Sequence, residues 1–307
     1  MSTPTHNDTD QMARAIVDAH RHTLALPVEP HAEPVSVQTG DAVFTAALSA
    51  AQALGFVPDD ALCVARAWSN QVQRTGHFDP MQWPDEPADF GMAPFPRADA
   101  FAACPTALGL YAVMPDAQWT IRMARAGVPT VQLRFKSSDV AAIRAEVRAT
   151  VDGVRGTGAR LFINDHWQQA IDAGAYGVHL GQEDLQAITP AGLDAIRNAG
   201  LRLGLSTHGY AEMLIADRHS PSYIAMGAVF PTTLKLMATA AQGTGRLAAY
   251  ARLLRGYPRV AIGGIDLQRL PAVLASGVGS VGVVRALMAE SDLHAAVATW
   301  NAAINGA

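Results

Sequence analysis

The polar residues of this chain are unevenly spread. They gather in short groups directly after apolar runs, and their types suit phosphate chemistry. Thr130–Leu133 contains Gln132 and runs into Arg134 and Lys136, and Arg160–Ile163 runs into Asn164 and Asp165. Gly177–Leu180 is followed by Gln182-Glu183-Asp184, and Arg202–Leu205 by Ser206-Thr207-His208. Beyond Tyr223–Met226 come Thr232, Thr233, Leu234 and Lys235; beyond Arg259–Ile262 comes Gly263-Gly264; and Ser280–Val284 ends at Val284 and Arg285. Arg134, Lys136 and Lys235 are fixed positive charges, which a diphosphate needs if it is to leave water. Asp165 and Asp184 are hard oxygen donors of the kind Mg²⁺ prefers, with water and substrate phosphate completing its octahedron. A metal held so offsets charge on a departing phosphate group. Gly263-Gly264 lets backbone N–H groups approach a phosphate, and a helix starting near Asp266 would add its positive end.

Elements must bring these groups together. From about Leu108, short apolar runs alternate with longer helical stretches, which predicts strands at Gly109–Val113, Thr130–Leu133, Arg160–Ile163, Gly177–Leu180, Arg202–Leu205, Tyr223–Met226, Arg259–Ile262 and Ser280–Val284. Helices are expected over Trp119–Ala126, Ala141–Val154, Trp167–Ala173, Leu193–Ala199 and Leu267–Ala275. Several end at a glycine (Gly127, Gly174, Gly200, Gly277), the residue that most readily takes a left-handed turn after a helix. Parallel neighbours each need a crossover, so eight strand–helix units in about 200 residues predict an α/β fold, a (β/α)8 TIM barrel. An open doubly wound sheet is the second choice, weakened because no G-x-G-x-x-G follows the first strand. In a barrel every one of the polar groups above faces the same mouth.

Bulk properties narrow the function class. Half of the residues are apolar, 16% are charged and the net charge is −4, so neither nucleic acid nor an anionic membrane is the expected partner. The two cysteines, Cys63 and Cys104, are too far apart for a short metal motif, and a reducing cytoplasm is the default compartment. The polar stretch Ser2–Asp10 has no signal-like apolar core, and no run approaches the roughly 18 apolar residues of a membrane span.

Residues 1–105 read differently from residues 106–307. Residues 1–36 show weak periodicity, an alanine-rich stretch from Asp41 to Gln73 predicts two helices broken near Gly55 and Pro58, and residues 76–106 suit an extended linker that packs by its aromatics. The expected organisation is a short, mainly helical N-terminal extension followed by the barrel.

The motifs Gln132–Lys136, Phe162-Ile163-Asn164-Asp165, Gly177–Asp184, Gly204–His208, Phe230–Lys235, Ala261–Ile265 and Val281–Leu287 together resemble thiamine phosphate synthase of the proteobacterial type, over nearly the whole barrel. The resemblance implies a pyrimidine that loses pyrophosphate to give a stabilised carbocation, captured by a thiazole nitrogen. It implies that Gln132, Arg134, Lys136, Asn164, Ser206 and Lys235 bind the aminopyrimidine diphosphate, with Arg134, Lys136, Ser206 and Lys235 the catalytic set. Asp165 and Asp184 become Mg²⁺ ligands. Thr232, Gly264, Val284 and Arg285 hold the thiazole phosphate, with Thr233 and Leu234 nearby. The family commonly has threonine where Leu234 stands and serine where Arg285 stands. Arg285 reads as a compensating change, because a guanidinium grips a phosphate at two points.

Thr39–Leu48 resembles the anion-hole helix of ribokinase-like kinases, including pyrimidine kinases, in which the aspartate matching Asp41 would be the general base. Too little chain precedes it for a nucleotide-binding sheet, so a degenerate fragment kept for packing or assembly is expected. Two other functions compete: a thiazole tautomerase-like paralogue, which has no use for two metal carboxylates with Lys136 and Lys235, and a non-catalytic regulatory ligand-binding barrel. Taken alone, Asp165 suits a helix N-cap, and His179 a packed strand residue. Assembly into a homo-oligomer is left open.

Overall fold

The computed structural model describes residues 6–27, 35–232 and 240–306. Eight parallel strands close in chain order into a barrel: β1 (Gly109–Met114), β2 (Thr130–Leu133), β3 (Arg160–Asn164), β4 (Gly177–Leu180), β5 (Arg202–Thr207), β6 (Tyr223–Met226), β7 (Arg259–Ile262) and β8 (Ser280–Val283). β1 pairs with both β2 and β8, which closes the ring. Three helices precede it, α1 (His6–Leu24), α2 (Ala42–Ala53) and α3 (Pro58–Thr75). Within the barrel sequence lie α4 (Ala117–Arg125), α5 (Val140–Val154), α6 (Trp167–Ala173), α7 (Gln182–Ala187) and α8 (Pro190–Asn198). After β5 come α9 (Tyr210–Arg218), α10 (Gly243–Leu253), α11 (Leu270–Leu274), α12 (Arg285–Met288) and α13 (Leu293–Asn305).

All eight expected strands form, and the open sheet is excluded by closure. β3 runs on to Asn164 and β5 to Thr207, while β8 stops at Val283, one residue short of expectation. The glycines expected to end helices, Gly127, Gly174, Gly200 and Gly277, all take positive φ. Two readings need correction. Residues 6–24 form a 19-residue helix, although the apolar periodicity there is diluted by His and Asp. The helix expected from Leu267 starts only at Leu270, because the Asp266 carboxylate accepts from the Arg269 N–H and holds the preceding residues in a turn. The helix end near Asp266 is thus answered by the chain's own carboxylate.

Glycines shape the barrel interior. Phe162 and Tyr223 are fully buried, with rings 5.1 Å apart, beside Tyr111. A Cβ at Gly177 would press on the Phe162 ring at 2.5 Å, and one at Gly204 would overlap the Tyr223 ring. Small residues on β4 and β5 therefore make room for large ones on β3 and β6, the interdigitation that fills a barrel of this size.

The described residues group into two compact units. One holds the chain up to Pro94 together with Gly209–Arg218; the other holds Phe95–His208 and the chain from His219 onward. The division falls before the expected linker ends, and α9 joins the first unit. In that unit, alanines at positions 46, 47, 50 and 51 of α2 and 61, 65 and 67 of α3 are buried, which lets helix backbones approach closely. Trp68, Trp83, Phe56 and Phe90 are also buried in its core. Asp41 caps α2, accepting from the Phe44 N–H at 3.0 Å, and is also bonded by the Ser69 hydroxyl.

Phe162→Ala leaves a cavity at the centre of the barrel and should destabilise the protein by about 3–5 kcal/mol. Denaturant titration would show a clearly lower midpoint, and an unchanged midpoint would contradict this account of the packing.

Candidate functional site

The expected site residues meet at the C-terminal ends of β2 to β5. Asp165 follows β3 directly and adopts φ 65°, a left-handed conformation that Asp tolerates better than most residues but that still carries strain. Its side chain caps no helix: α6 has His166 at its N-cap position, with no side-chain cap bond. The Asp165 carboxylate instead meets Lys136 in an ion pair and hydrogen-bonds with Asp184, which sits in the first turn of α7. His166 Nε2 bonds the Phe135 carbonyl at 2.9 Å and Asp165 N–H donates to the His179 carbonyl at 3.0 Å, so the turn is pinned on both sides.

Two carboxylates this close titrate apart. Burial and then Asp165 itself, by hydrogen bond and by charge, push Asp184 above the ordinary carboxylate range. Burial also opposes ionisation of Asp165, but Lys136 and the bond from Asp184 outweigh it and leave Asp165 below that range. Among the described residues no group of three or more His, Cys, Asp or Glu is arranged to hold a metal. The two acids would leave most of an ion's coordination to other ligands.

Behind the acids runs a chain of buried hydrogen bonds. Gln132 Nε2 donates to Asn164 Oδ1 at 2.8 Å, and Tyr111 OH donates to Gln132 Oε1 at 2.9 Å. Tyr111 OH meets Tyr223 OH at 2.6 Å, Tyr223 OH meets His179 Nδ1 at 2.7 Å, and His179 Nε2 meets Ser206 Oγ at 2.8 Å. β1 and β6 are not neighbours in the ring, so the tyrosine pair spans the barrel interior. Gln182 Nε2 donates to the Ser206 carbonyl at 2.6 Å, tying the start of α7 to β5. Burial holds His179 neutral, its pKa lowered to about 4, and lifts both tyrosines well above their ordinary value.

The remaining residues lie at the end of β2, after β6 to β8, or outside the described residues. Arg134 is exposed, its backbone N–H donating to the Met114 carbonyl at 2.7 Å. Thr232 is half-buried; Thr233, Leu234 and Lys235 lie outside the described residues. Gly264 takes φ 64°, and a Cβ there would lie 2.7 Å from the Pro231 carbonyl; a Cβ at Gly263 would lie 2.6 Å from Ala228 Cα. Close approach of the loops after β6 and β7 therefore demands both glycines, whatever they bind. Val284 packs against the interior cluster that contains Tyr111 and Tyr223, while Arg285 is exposed at the start of α12. An open depression of about 320 Å³ lies at the other end of the barrel, lined by Gly109, Pro129, Arg160 and Asn301, away from the acids.

Sequence reasoning missed Tyr111 and Tyr223, and treated His179 as packing. The available signal was alternation: Tyr111, Gln132, Asn164, His179, Ser206 and Tyr223 all share the inward parity of their strands. Arg269 was missed too. Its guanidinium donates to the Gly264 carbonyl at 2.5 Å and lies over the Phe230 ring at 4.8 Å, which places a cation beside the glycine pair.

Comparison with known proteins fits this fold. The family profile for thiamine monophosphate synthase matches residues 110–287. The thiamine-phosphate synthase of Neisseria meningitidis serogroup A is 51% identical over 199 residues, 65% of this chain and 96% of that protein. The thiamine-phosphate synthase of Shigella dysenteriae serotype 1 is 52% identical over 198 residues, 64% of this chain and 92% of that protein. The solved thiamine phosphate pyrophosphorylase of Pyrococcus furiosus superposes with a TM-score of 0.55 at 26% identity, covering 65% of this chain and 96% of that one. With its barrel matched from the first strand to the last and its acids, amides and glycines at one rim, this chain belongs to the thiamine monophosphate synthase family, enzymes that join a pyrimidine to a thiazole in thiamine biosynthesis.

Proposed function

We propose that this chain condenses 4-amino-2-methyl-5-pyrimidinylmethyl diphosphate with a thiazole phosphate, giving thiamine phosphate and pyrophosphate, and that it does so with Mg²⁺. The observation that carries the reading is the Asp165–Asp184 pair with Lys136 beside it. Such a pair fits a hard divalent cation, because a cation would relieve the repulsion between the two carboxylates that raises Asp184, and two protein carboxylates leave places for water and phosphate oxygen. Bound there, Mg²⁺ supplies charge stabilisation to the departing pyrophosphate. A thiazole tautomerase would find no use for this arrangement.

The chain's own residues divide the rest of the work. Asn164 spends its carbonyl on Gln132, so its amide N–H groups are what it offers a pyrimidine. Gln132 is held from both sides, which orients it before substrate arrives. Lys136 exchanges its contact with Asp165 for the diphosphate, and Arg134, exposed on the same strand end, adds a second cation. Lys235 is assigned to the same diphosphate. The carbon–oxygen bond breaks with its electron pair leaving on pyrophosphate. The pyrimidinylmethyl cation that remains is met by the thiazole nitrogen lone pair, forming the carbon–nitrogen bond. The thiazole phosphate is assigned to Thr232, Thr233, Gly264, Val284 and Arg285, with Leu234 alongside. Neutral His179 keeps the Ser206 hydroxyl aimed without placing a positive charge beside the developing cation. The expected setting is the cytoplasm, with small-molecule substrates only; no helix of the described residues is long and apolar enough to cross a membrane.

Three outcomes test this. Asp184→Asn should cut pyrophosphate release from the two substrates by at least about a hundredfold, equivalent to about 3 kcal/mol of transition-state stabilisation. The fold, read by circular dichroism, should be unchanged, and chelation should silence the wild type. Full turnover in that variant, or in chelator, removes the metal assignment.

Arg285→Ser should change KM for the thiazole phosphate about tenfold with KM for the pyrimidine diphosphate held. Equal KM values for both proteins would take Arg285 out of the site.

The third outcome concerns pH. His179 is depressed in the folded state, so unfolded chains take up a proton below about pH 6.5 and folded ones only near 4. Its contribution is complete above the upper value and lost as pH falls through that window, amounting to about 3 kcal/mol at most. Denaturant titrations at pH 7 and 4.5 should differ less in His179→Gln than in wild type. Equal pH dependence in the two proteins would contradict a buried neutral imidazole.

A further inference from the structure

The two peptides of the glycine turn after β7 are held in different ways. The Gly263 carbonyl accepts from the Phe230 N–H at 3.0 Å, a backbone bond that fixes the Gly263–Gly264 peptide. The Gly264 carbonyl has no backbone donor among the described residues. Its partner is the Arg269 side chain, which donates to it at 2.5 Å. Gly264 sits at φ 64°, and the conformational freedom of glycine lets the peptide that follows rotate unless something holds it. Arg269 is itself held at three further points. Its guanidinium lies 4.8 Å from the centre of the Phe230 ring. Its Nε stands 3.6 Å from Asp266 Oδ2, and its backbone N–H donates to Asp266 Oδ1 at 2.9 Å. Although exposed, this side chain has a defined place.

Phe230, Gly264, Ile265, Asp266 and Arg269 all lie in the compact unit that holds the chain from His219 onward. A trans peptide is planar, with its C=O and N–H on opposite edges. The bond that turns the Gly264 carbonyl toward Arg269 therefore turns the Ile265 N–H the other way. Among the described residues neither the Gly264 N–H nor the Ile265 N–H has an acceptor. Successive backbone donors left open at such a turn suit an anion. We propose that Arg269 is a positioning residue for the thiazole phosphate: it orients the Gly264–Ile265 peptide so that the Ile265 N–H is presented to the phosphate. The inference rests on the assignment of that phosphate to Gly264. Arg269 acts on the carbonyl rather than on the phosphate, which separates its role from that given to Arg285. Its stacking on Phe230 also joins the loops after β6 and β7, so the donor is set before the phosphate arrives.

The test uses the full-length protein with Arg269→Ala, Arg269→Lys and Phe230→Leu. Arg269→Ala removes the donor to the carbonyl. Arg269→Lys keeps the charge but loses the planar fork that serves a carbonyl, a carboxylate and a ring together. Phe230→Leu removes the ring beneath the guanidinium. In Arg269→Ala, KM for the thiazole phosphate should rise about tenfold while KM for the pyrimidine diphosphate stays within about twofold. Arg269→Lys should recover less than about half of that loss, and Phe230→Leu should show the same selectivity at smaller size. The amide resonance of Ile265, followed by NMR, should shift when wild type is saturated with the thiazole phosphate and stay in place in saturated Arg269→Ala. Full recovery by Arg269→Lys would mean that charge alone matters and would overturn the proposal. So would equal effects on both KM values, an unmoved Ile265 resonance in wild type, or the same shift in both proteins. Should Arg269→Ala not fold, Phe230→Leu carries the same comparison. If the wild type releases no pyrophosphate, the reaction assignment has failed, and the Ile265 resonance with the thiazole phosphate alone then decides the role of Arg269.

Discussion

Two carboxylates within hydrogen-bonding reach of each other resist being charged together, and much of this structure serves to keep Asp165 and Asp184 in that position. The barrel makes the encounter possible, since adjacent parallel strands deliver their following turns to one rim. Asp165 accepts a left-handed backbone to reach its place, with φ 65°. Its turn is tied to Phe135 on one side and to His179 on the other. Asp184 comes from the first turn of α7, and Gln182 in that same turn is bonded to Ser206. Strain and repulsion of this sort persist only where the surroundings over-determine them, and the roles suggested for Lys136 and a divalent ion follow from that stored repulsion.

The interior supplies the over-determination. A barrel core is normally apolar, yet here six side chains from Asn164 to Ser206 cross it in one continuous run of hydrogen bonds. Buried polar groups are costly unless satisfied, and once satisfied they specify a single arrangement. The run joins β3, β2, β1, β6, β4 and β5, so a displacement at one end breaks a bond at another. His179 can take part because burial keeps it uncharged, its pKa lowered to about 4. An imidazolium there would lose its role as acceptor and bring a charge into a closed cavity. Apolar packing by Phe162 and the space left by Gly177 and Gly204 let the tyrosine pair stand where it does.

Much of this arrangement was legible in the chain itself. Eight apolar runs separated by helix-length segments predicted eight parallel strands, and polar residues clustered after them predicted one active rim; the acids do meet there. Strand ends were less legible. Asn164, Ser206 and Thr207 look polar and therefore seem to stop a strand, yet their backbones continue the ladder because the side chains find partners inside the barrel. The tyrosines were passed over for the opposite reason. Tyr111 and Tyr223 read as ordinary apolar core, and only the three-dimensional crossing from β1 to β6 reveals that their hydroxyls are used. The helix over residues 6–24 was hidden by polar residues on its exposed face.

The two sides of the rim are built on different terms, and this bears on how one member of the family can vary. On the side of β2 to β5 almost every polar group is committed to another, so a substitution there propagates through the run. On the side of β6 to β8, the glycine pair is required by backbone approach, with Cβ positions only 2.6 and 2.7 Å from neighbouring loop atoms, whereas Arg285 and Arg269 are exposed at its edge. Backbone and a glycine pair can hold a phosphate with little help from any particular side chain. Exposed positions around them, Arg285 among them, are then free to change. A reaction that develops positive charge on one substrate needs rigid, committed groups around that substrate. A partner recognised by its phosphate needs only a conserved shape and enough positive charge. Under the proposed reaction, that difference in demand would set a locked half against an adaptable half.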